Sequence, residues 1–449
     1  MELDSCLTAP PDWPRRTISE ICERFTSGGT PSRARPEFYG GRIPWVKTKE
    51  LTDRTLWNAE ECITEAGLAG SSAKLLPAGT VLMAMYGATV GKLGRLGVPM
   101  ACNQACAAMV VDGNRADASY LYFQLKLNRS KIVSSASGAA QQNLSGLQIK
   151  NFILPFPGVR EQRLIGGLLA SLDEKIELNR RMNETLEAMA QAIFRDWFVD
   201  FGPVRRKMEG ATDPVAIMGG LTSDPARAAE LAALFPAALG EDELPVGWGE
   251  HSIGEQVEIV GGSTPSTADE RLWTPAEHRW ATPKDLSGMA DLALFETGRR
   301  ISGAGVAKIT SGLLPAGTVL LSSRAPIGYL AIAQEPVAIN QGFIALKPTT
   351  SLGSAYLYLW CKANMDAILA NANGSTFQEI SKKNFRPITS AIPGDVAIVR
   401  AFDDVARPLI ERIVAAAREN RTLTETRDYL LPRLMSGQVR VGRREAMVA

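Results

Sequence analysis

Leu75-Leu76-Pro77-Ala78-Gly79-Thr80-Val81-Leu82 returns without a change as Leu313-Leu314-Pro315-Ala316-Gly317-Thr318-Val319-Leu320. Working outward from this block, the neighbouring motifs also come in pairs and in one order. Trp13 leads into Ile18-Ser19-Glu20 and Gly28-Gly29-Thr30-Pro31-Ser32, as Trp248 leads into Ile253-Gly254-Glu255 and Gly262-Ser263-Thr264-Pro265-Ser266. Trp45-Val46-Lys47-Thr48-Lys49-Glu50-Leu51 matches Trp280-Ala281-Thr282-Pro283-Lys284-Asp285-Leu286, and the tryptophan spacing is the same in both copies. Downstream, Asn103-Gln104 recurs as Asn340-Gln341, Tyr120-Leu121-Tyr122 as Tyr356-Leu357-Tyr358, and Lys150-Asn151-Phe152 as Lys383-Asn384-Phe385. Solenoid units repeat every 20–50 residues or so, far more often than this. Each copy is therefore a whole domain with an appendage, and the chain is a duplication.

The first part of each copy, residues 13–157 and 248–392, is rich in glycine, proline and short apolar runs such as residues 80–85 and 318–322. Frequent turn residues predict mostly strands, with short helices near residues 118–131 and 354–369. The second part has the opposite character. Between residues 160 and 197 there is no proline, and apolar positions recur at alternating steps of four and three. The seam reads Ile165, Leu169, Leu172, Ile176, Asn179, Asn183, Leu186, Ala190, Ile193 and Trp197. The second copy answers with Phe402, Val405, Leu409, Ile413, Ala416, Asn420, Leu423, Arg427, Leu430 and Leu434. Such a seam predicts a long helix packed on another helix, and the obvious partner of each is the other. Buried asparagines in a seam commonly fix register and orientation. The run Asp173-Glu174-Lys175 beside it reads as a charged helix face.

The fold expected is α+β: two duplicated mixed α/β domains separated by two long, coiled-coil-like helices, expected to be antiparallel. The domains are residues 1–157 and 248–392, with helices at 158–201 and 393–440, a connector at 202–247 and a tail at 441–449. Antiparallel pairing would carry the two globular parts to opposite ends of a rod. The connector reads as partly ordered, with one short Ala-rich helix near residues 226–235, and no chemistry is assigned to it.

Composition narrows the function classes. The chain has 449 residues, 45% hydrophobic and 22% charged, which suits a globular protein of more than one domain. Its 49 Lys and Arg against 48 Asp and Glu give a formal charge of +1, so any grip on a polyanion must come from local patches. Six cysteines are scattered and only two histidines, His251 and His278, are present, so no zinc pattern forms. The first residues carry acids and prolines without an apolar run, and no stretch is apolar enough to span a membrane. A cytoplasmic protein is expected.

Catalytic motifs are missing. Gly87-Ala88-Thr89-Val90-Gly91-Lys92-Leu93 resembles a phosphate loop but is one residue short and ends in leucine, and the second copy, Arg324-Ala325-Pro326-Ile327-Gly328-Tyr329, lacks the lysine. No base-methylation motif and no nucleophile beside a histidine can be found. Binding residues are better represented. Thr30, Ser32 and Ser266 sit in the repeated Gly-x-Thr-Pro-Ser loops, whose amides and hydroxyls suit phosphate oxygens, although such residues also make plain turns. Lys47, Lys49, Arg54, Lys74 and Lys92 supply charge in the first copy, and Lys284, Arg299, Arg300, Lys308 and Arg324 in the second. Residues that differ between copies are the better candidates for reading bases: Tyr86 against Arg324, Gln141 against Phe377, and Lys92 against Tyr329.

The blocks Trp13 to Glu20, Gly28 to Ser32, Ile43-Pro44-Trp45, Leu75 to Leu82, Gly91 and Asn103-Gln104 together resemble the target-recognition domain of type I restriction–modification specificity subunits. Arg160-Glu161-Gln162-Arg163 opening a long helix, and Ala192-Ile193-Phe194-Arg195-Asp196-Trp197-Phe198 near its end, resemble that family's spacer region. Two departures stand out: Pro393-Gly394-Asp395 opens the second spacer where the family usually has Gln-Glu-Gln or Arg-Glu-Gln, and the second loop is Gly-Ser-Thr. The resemblance implies a non-catalytic subunit that reads a bipartite, asymmetric double-stranded DNA target, one domain per half, with the helix pair as a ruler. It implies two modification (methyltransferase) subunits carrying S-adenosylmethionine as partners, together with restriction subunits driven by ATP and Mg2+. No cofactor or metal would be bound by this chain. Arg180, Arg181 and Arg195 on the spacer would be docking surface. Two other classes stay open at this point: a scaffold of duplicated domains binding protein or glycan, and a stand-alone DNA-modifying enzyme.

Overall fold

The computed structural model describes residues 9–136, 143–374 and 378–441. Two compact units emerge, one formed by the chain up to residue 178 with the chain from 419 onward, the other by residues 179–418.

The repeated Leu-Leu-Pro-Ala-Gly-Thr-Val-Leu block shows why it is kept. Gly79 and Gly317 turn the chain at φ of 83° and 87°, a conformation that costs glycine little. Thr80 and Thr318, both buried, close the turn by donating to Pro77 O at 2.7 Å and Pro315 O at 2.8 Å. The turn delivers the chain into a central strand, Val81–Ala84 in one domain and Val319–Ser323 in the other, buried along its length. Buried strands of this kind read as continuous apolar runs, as these do.

Around that strand each unit builds the same sheets. In the first, five strands run in the order Cys22–Ser27, Cys106–Val111, Val81–Ala84, Leu93–Leu96 and Arg54–Leu56. In the second the five are Ile259–Gly261, Phe343–Leu346, Val319–Ser323, Ile327–Ala333 and Ala293–Leu294. A three-stranded sheet accompanies each, centred on Tyr39–Val46 or His278–Ala281. Its parallel register is also repeated, with Trp45 opposite Ala101 and Trp280 opposite Ala338. The expected short helices are Ala118–Leu127 with Arg129–Ser134, and Ser354–Ala363 with Met365–Ala370.

Both seams are helical for 40 residues, Val159–Phe198 and Val396–Met435. No seam position is exposed; each is buried or half-buried. The first helix is anchored at its start by buried Gln162, which accepts from Asp117 N at 3.0 Å and donates to Pro157 O at 2.8 Å. The second starts differently, as its sequence announced: Asp395 accepts from Ala397 N at 2.8 Å, capping the first turn. Within the first unit the two helices run antiparallel. Arg427 bonds Asp173 at 2.6 Å while Lys175 pairs with Glu419 at 3.4 Å, so numbers fall along one helix as they rise along the other. Within the second unit Asn183 donates to Ile413 O at 3.4 Å.

Two readings change. Asp173 does not lie on a solvated face: it is half-buried between Lys126, at 3.3 Å, and Arg427. The connector is ordered as three helices, Gly202–Met208, Pro214–Ile217 and Pro225–Ala233, the last close to the Ala-rich helix expected. Val204, Ile217, Met218, Leu231 and Phe235 fold back onto the second unit's core. Proline at the start of each helix, where no intrahelical N–H is needed, let short segments begin without a periodic signal.

Gly28 and Gly262 make one requirement of this packing explicit. A Cβ on Gly28 would lie 2.0 Å from Cys102 O, and one on Gly262 1.8 Å from Ile339 O, both backbone atoms. Gly262→Ala should therefore destabilise the second domain by about 1–3 kcal/mol, the usual cost of forced overpacking. Chemical denaturation reads this directly, and an unchanged midpoint would refute the close approach.

Candidate nucleic-acid interface

The Gly-x-Thr-Pro-Ser loop is held in both domains by the same three devices. The buried tryptophan donates its indole N–H to the loop backbone: Trp45 to Gly29 O at 2.9 Å, Trp280 to Ser263 O at 3.3 Å. A second aromatic ring holds the far side, Tyr39 donating to Pro31 O at 2.6 Å and Trp273 to Ser266 O at 3.0 Å. Finally the loop threonine donates to the matched glutamine, Thr30 to Gln104 and, at 2.7 Å, Thr264 to Gln341. The matched glutamines thus serve the scaffold. The loop amides of Gly29 and Ser263 are spent inside, on Cys102 O at 2.9 Å and Ile339 O at 3.1 Å. All four hydroxyl residues, Thr30, Ser32, Thr264 and Ser266, are exposed, but the threonine protons are spent on the glutamines, which leaves the Ser32 and Ser266 hydroxyls as the donors that the loops present outward.

An arginine lies over each pair of rings. In the first domain the Arg33 guanidinium sits 4.2 Å from the Tyr39 ring centre and 5.5 Å from that of Trp45. Glu61 grips it at 2.7 and 3.3 Å and also pairs with Lys47 at 3.1 Å. The hydrogen bond from Arg33 is the main reason the Glu61 carboxyl is held below its ordinary pKa. In the second domain Arg299 lies 3.8 Å from the centre of Trp273 and 5.3 Å from that of Trp280. Sequence reading noted Arg299 only as charge and missed the stacked arrangement. Arg33 and Arg299 do not occupy matched positions, so comparing the copies could not find it.

The other candidate cations divide by domain. Lys49 pairs with Glu60, Arg54 with Glu177 at 3.6 Å and Lys92 with Asp53 at 3.6 Å. Lys74 donates to Thr26 Oγ1 at 2.5 Å. In the second domain Lys284 and Lys308 are exposed and form no ion pair among the described residues, while Arg324 approaches Glu379 at 3.9 Å. The first-domain candidates are thus ion-paired or hydrogen-bonded, whereas among the described residues the side chains of Lys284 and Lys308 of the second domain are not.

Of the divergent pairs, Tyr86 and Arg324 occupy equivalent hairpins, and each makes a backbone bridge, to Asn143 and Glu379 respectively. Tyr86 is exposed, whereas Tyr329 is half-buried and packs on the second domain's apolar cluster. Gln141 and Phe377 lie outside the described residues. The phosphate-loop-like stretch is a hairpin between antiparallel strands, with a single 3-10 turn at Gly87–Thr89, and not the strand–loop–α-helix arrangement of a phosphate loop. On the spacer, Arg181 and Arg195 are exposed and Arg180 half-buried; Arg195 pairs with Asp200 at 3.0 Å. Among the described residues no cluster of acidic, cysteine or histidine side chains could hold a metal ion, and no helix is long and apolar enough to cross a membrane.

Compared with known proteins, the chain matches the family model for the type I restriction modification DNA specificity domain twice, over residues 10–188 and 245–416. The specificity subunit of the type I restriction enzyme MjaIX of Methanocaldococcus jannaschii is 24% identical over 447 residues, covering 96% of this chain and 94% of that one. The HindI specificity subunit of Haemophilus influenzae is 28% identical over 341 residues, covering 69% and 73%. In fold, the chain resembles the crystal structure of the type I restriction–modification S subunit of M. genitalium, with a TM-score of 0.61 at 16% identity and 97% and 98% of the two chains covered.

Proposed function

This chain belongs to the type I restriction–modification DNA specificity family, and on that premise we propose that it is the sequence-reading subunit of such a complex. The single observation that carries this reading is a duplicated domain whose loop scaffold is the same twice while the charge mounted on it differs. Two unlike half-sites call for that combination: shared positioning, separate readout. Each domain reads one half of a bipartite, asymmetric duplex, and the paired 40-residue helices set the gap between the halves.

The chain has no catalytic role in this proposal. Two methyltransferase subunits bring S-adenosylmethionine, and restriction subunits bring ATP and Mg2+. The spacer surface with Arg180, Arg181 and Arg195 receives them. Outward hydroxyls of Ser32 and Ser266, with Lys47, Lys49, Arg54, Lys74, Lys284 and Lys308, contact the phosphate backbone, while Thr30 braces its loop against Gln104. Tyr86 and Arg324, Lys92 and Tyr329, and Gln141 and Phe377 vary the surface presented to bases. A formal charge of only +1 makes the partners' surface part of the grip on DNA.

The test is selection from randomised duplexes by the chain assembled with its methyltransferase subunits. Enrichment of two short motifs at a fixed gap, with binding that weakens steeply as salt is added, is the expected result. No enriched motif and no salt dependence would sink it.

A further inference from the structure

Arg299 opens the strand Arg299–Ile301, in register with Trp280 on the neighbouring strand. It is exposed, and its guanidinium rests on two indole rings set at 90° with centres 5.1 Å apart. Those rings are themselves fixed, since each indole N–H is bonded to the Ser263–Ser266 loop. Stacking occupies the flat face of a guanidinium and leaves its N–H edge free to point at acceptors. Among the described residues, no carboxylate, carbonyl or hydroxyl takes up that edge in Arg299. The first domain has the same floor, Tyr39 and Trp45, but there Glu61 consumes two N–H groups of Arg33.

The geometry points to Arg299 as a specificity-determining residue of the second domain, making the bidentate contact to O6 and N7 of a guanine in the major groove. The inference rests on the DNA-reading function proposed above. A phosphate contact asks only for a donor or a positive charge of loose orientation, which hydroxyls and lysines supply. Arg299 is instead the element of the platform in which the copies differ, in its place in the chain and in its freedom from a carboxylate. A rigid, pre-oriented fork is also the arrangement that pairs with guanine in two parallel bonds, and lysine cannot reproduce it.

The test repeats the duplex selection with wild type, Arg299→Ala and Arg299→Lys, each assembled with the methyltransferase subunits. Both variants are expected to lose the preference for guanine at one position in one half of the motif by about tenfold to a hundredfold. The other half and the remaining positions of the affected half should be retained, the latter showing that the second domain is folded, and Arg299→Lys should keep the wild-type salt dependence. A motif unchanged in both variants overturns the proposal. So does a loss of affinity spread equally over all sequences, the mark of a phosphate contact. If wild type itself enriches no bipartite motif, the underlying DNA-reading function has failed instead.

Discussion

Phe402→Ala is expected to cost the second unit about 3–5 kcal/mol, the range for removing a fully buried aromatic ring. Phe402 has no exposed surface. Its ring lies 5.6 Å from Phe194, 5.8 Å from Trp197, 5.1 Å from Phe198 and 6.1 Å from Tyr356, all in edge-on contact. Edge-on pairs of this kind add about 0.5–1.5 kcal/mol each beyond the area they bury. Three of the neighbours sit on the first long helix, Tyr356 on a helix of the second domain, and Phe402 on the second long helix. The cluster is therefore where three separate segments of the second unit are joined. Phe402→Leu, which keeps most of the volume, should cost less than about 1.5 kcal/mol. Hydrogen exchange distinguishes the outcomes: protection should fall across residues 179–418 in the alanine variant and hold in the first unit. A loss under about 1 kcal/mol, or an equal loss in both units, would show that the cluster does not organise this unit.

Much of the fold was legible because it depends on two short-range signals. The invariant Leu-Pro-Ala-Gly-Thr-Val-Leu block encodes a glycine turn, a threonine that closes it and a buried strand beyond the turn. The seam at steps of four and three encodes a helix with one covered face, and its asparagines Asn179, Asn183 and Asn420 are buried as that pattern requires. The connector was less legible, since four- to nine-residue helices are too short to show a period. Asp173 was misread for a related reason. Its helix position is beside the seam, and only the tertiary arrangement brings Lys126 and Arg427 to it.

The interface was the least legible part. The loop glycines were open to two readings, phosphate amides or a plain turn, and neither named the close packing that the structure shows. Gly28 and Gly262 abut backbone carbonyls, so packing accounts for them. The stacked arginines come from a loop in one domain and a strand in the other. No alignment of the copies can pair residues that reach the same place by different routes. Ion pairing was equally hidden: Glu61, Glu60 and Asp53 neutralise first-domain cations that looked equivalent to those of the second.

Exchange of residues 13–157 for the corresponding domain of another family member tests the central claim most directly. Binding-site selection on the chimaera should replace one half of the motif and keep the other half and the gap. Preference for the original first half should fall by about a thousandfold or more, toward non-specific binding. A chimaera in which both halves change, or neither does, would contradict the assignment of one half-site to each domain.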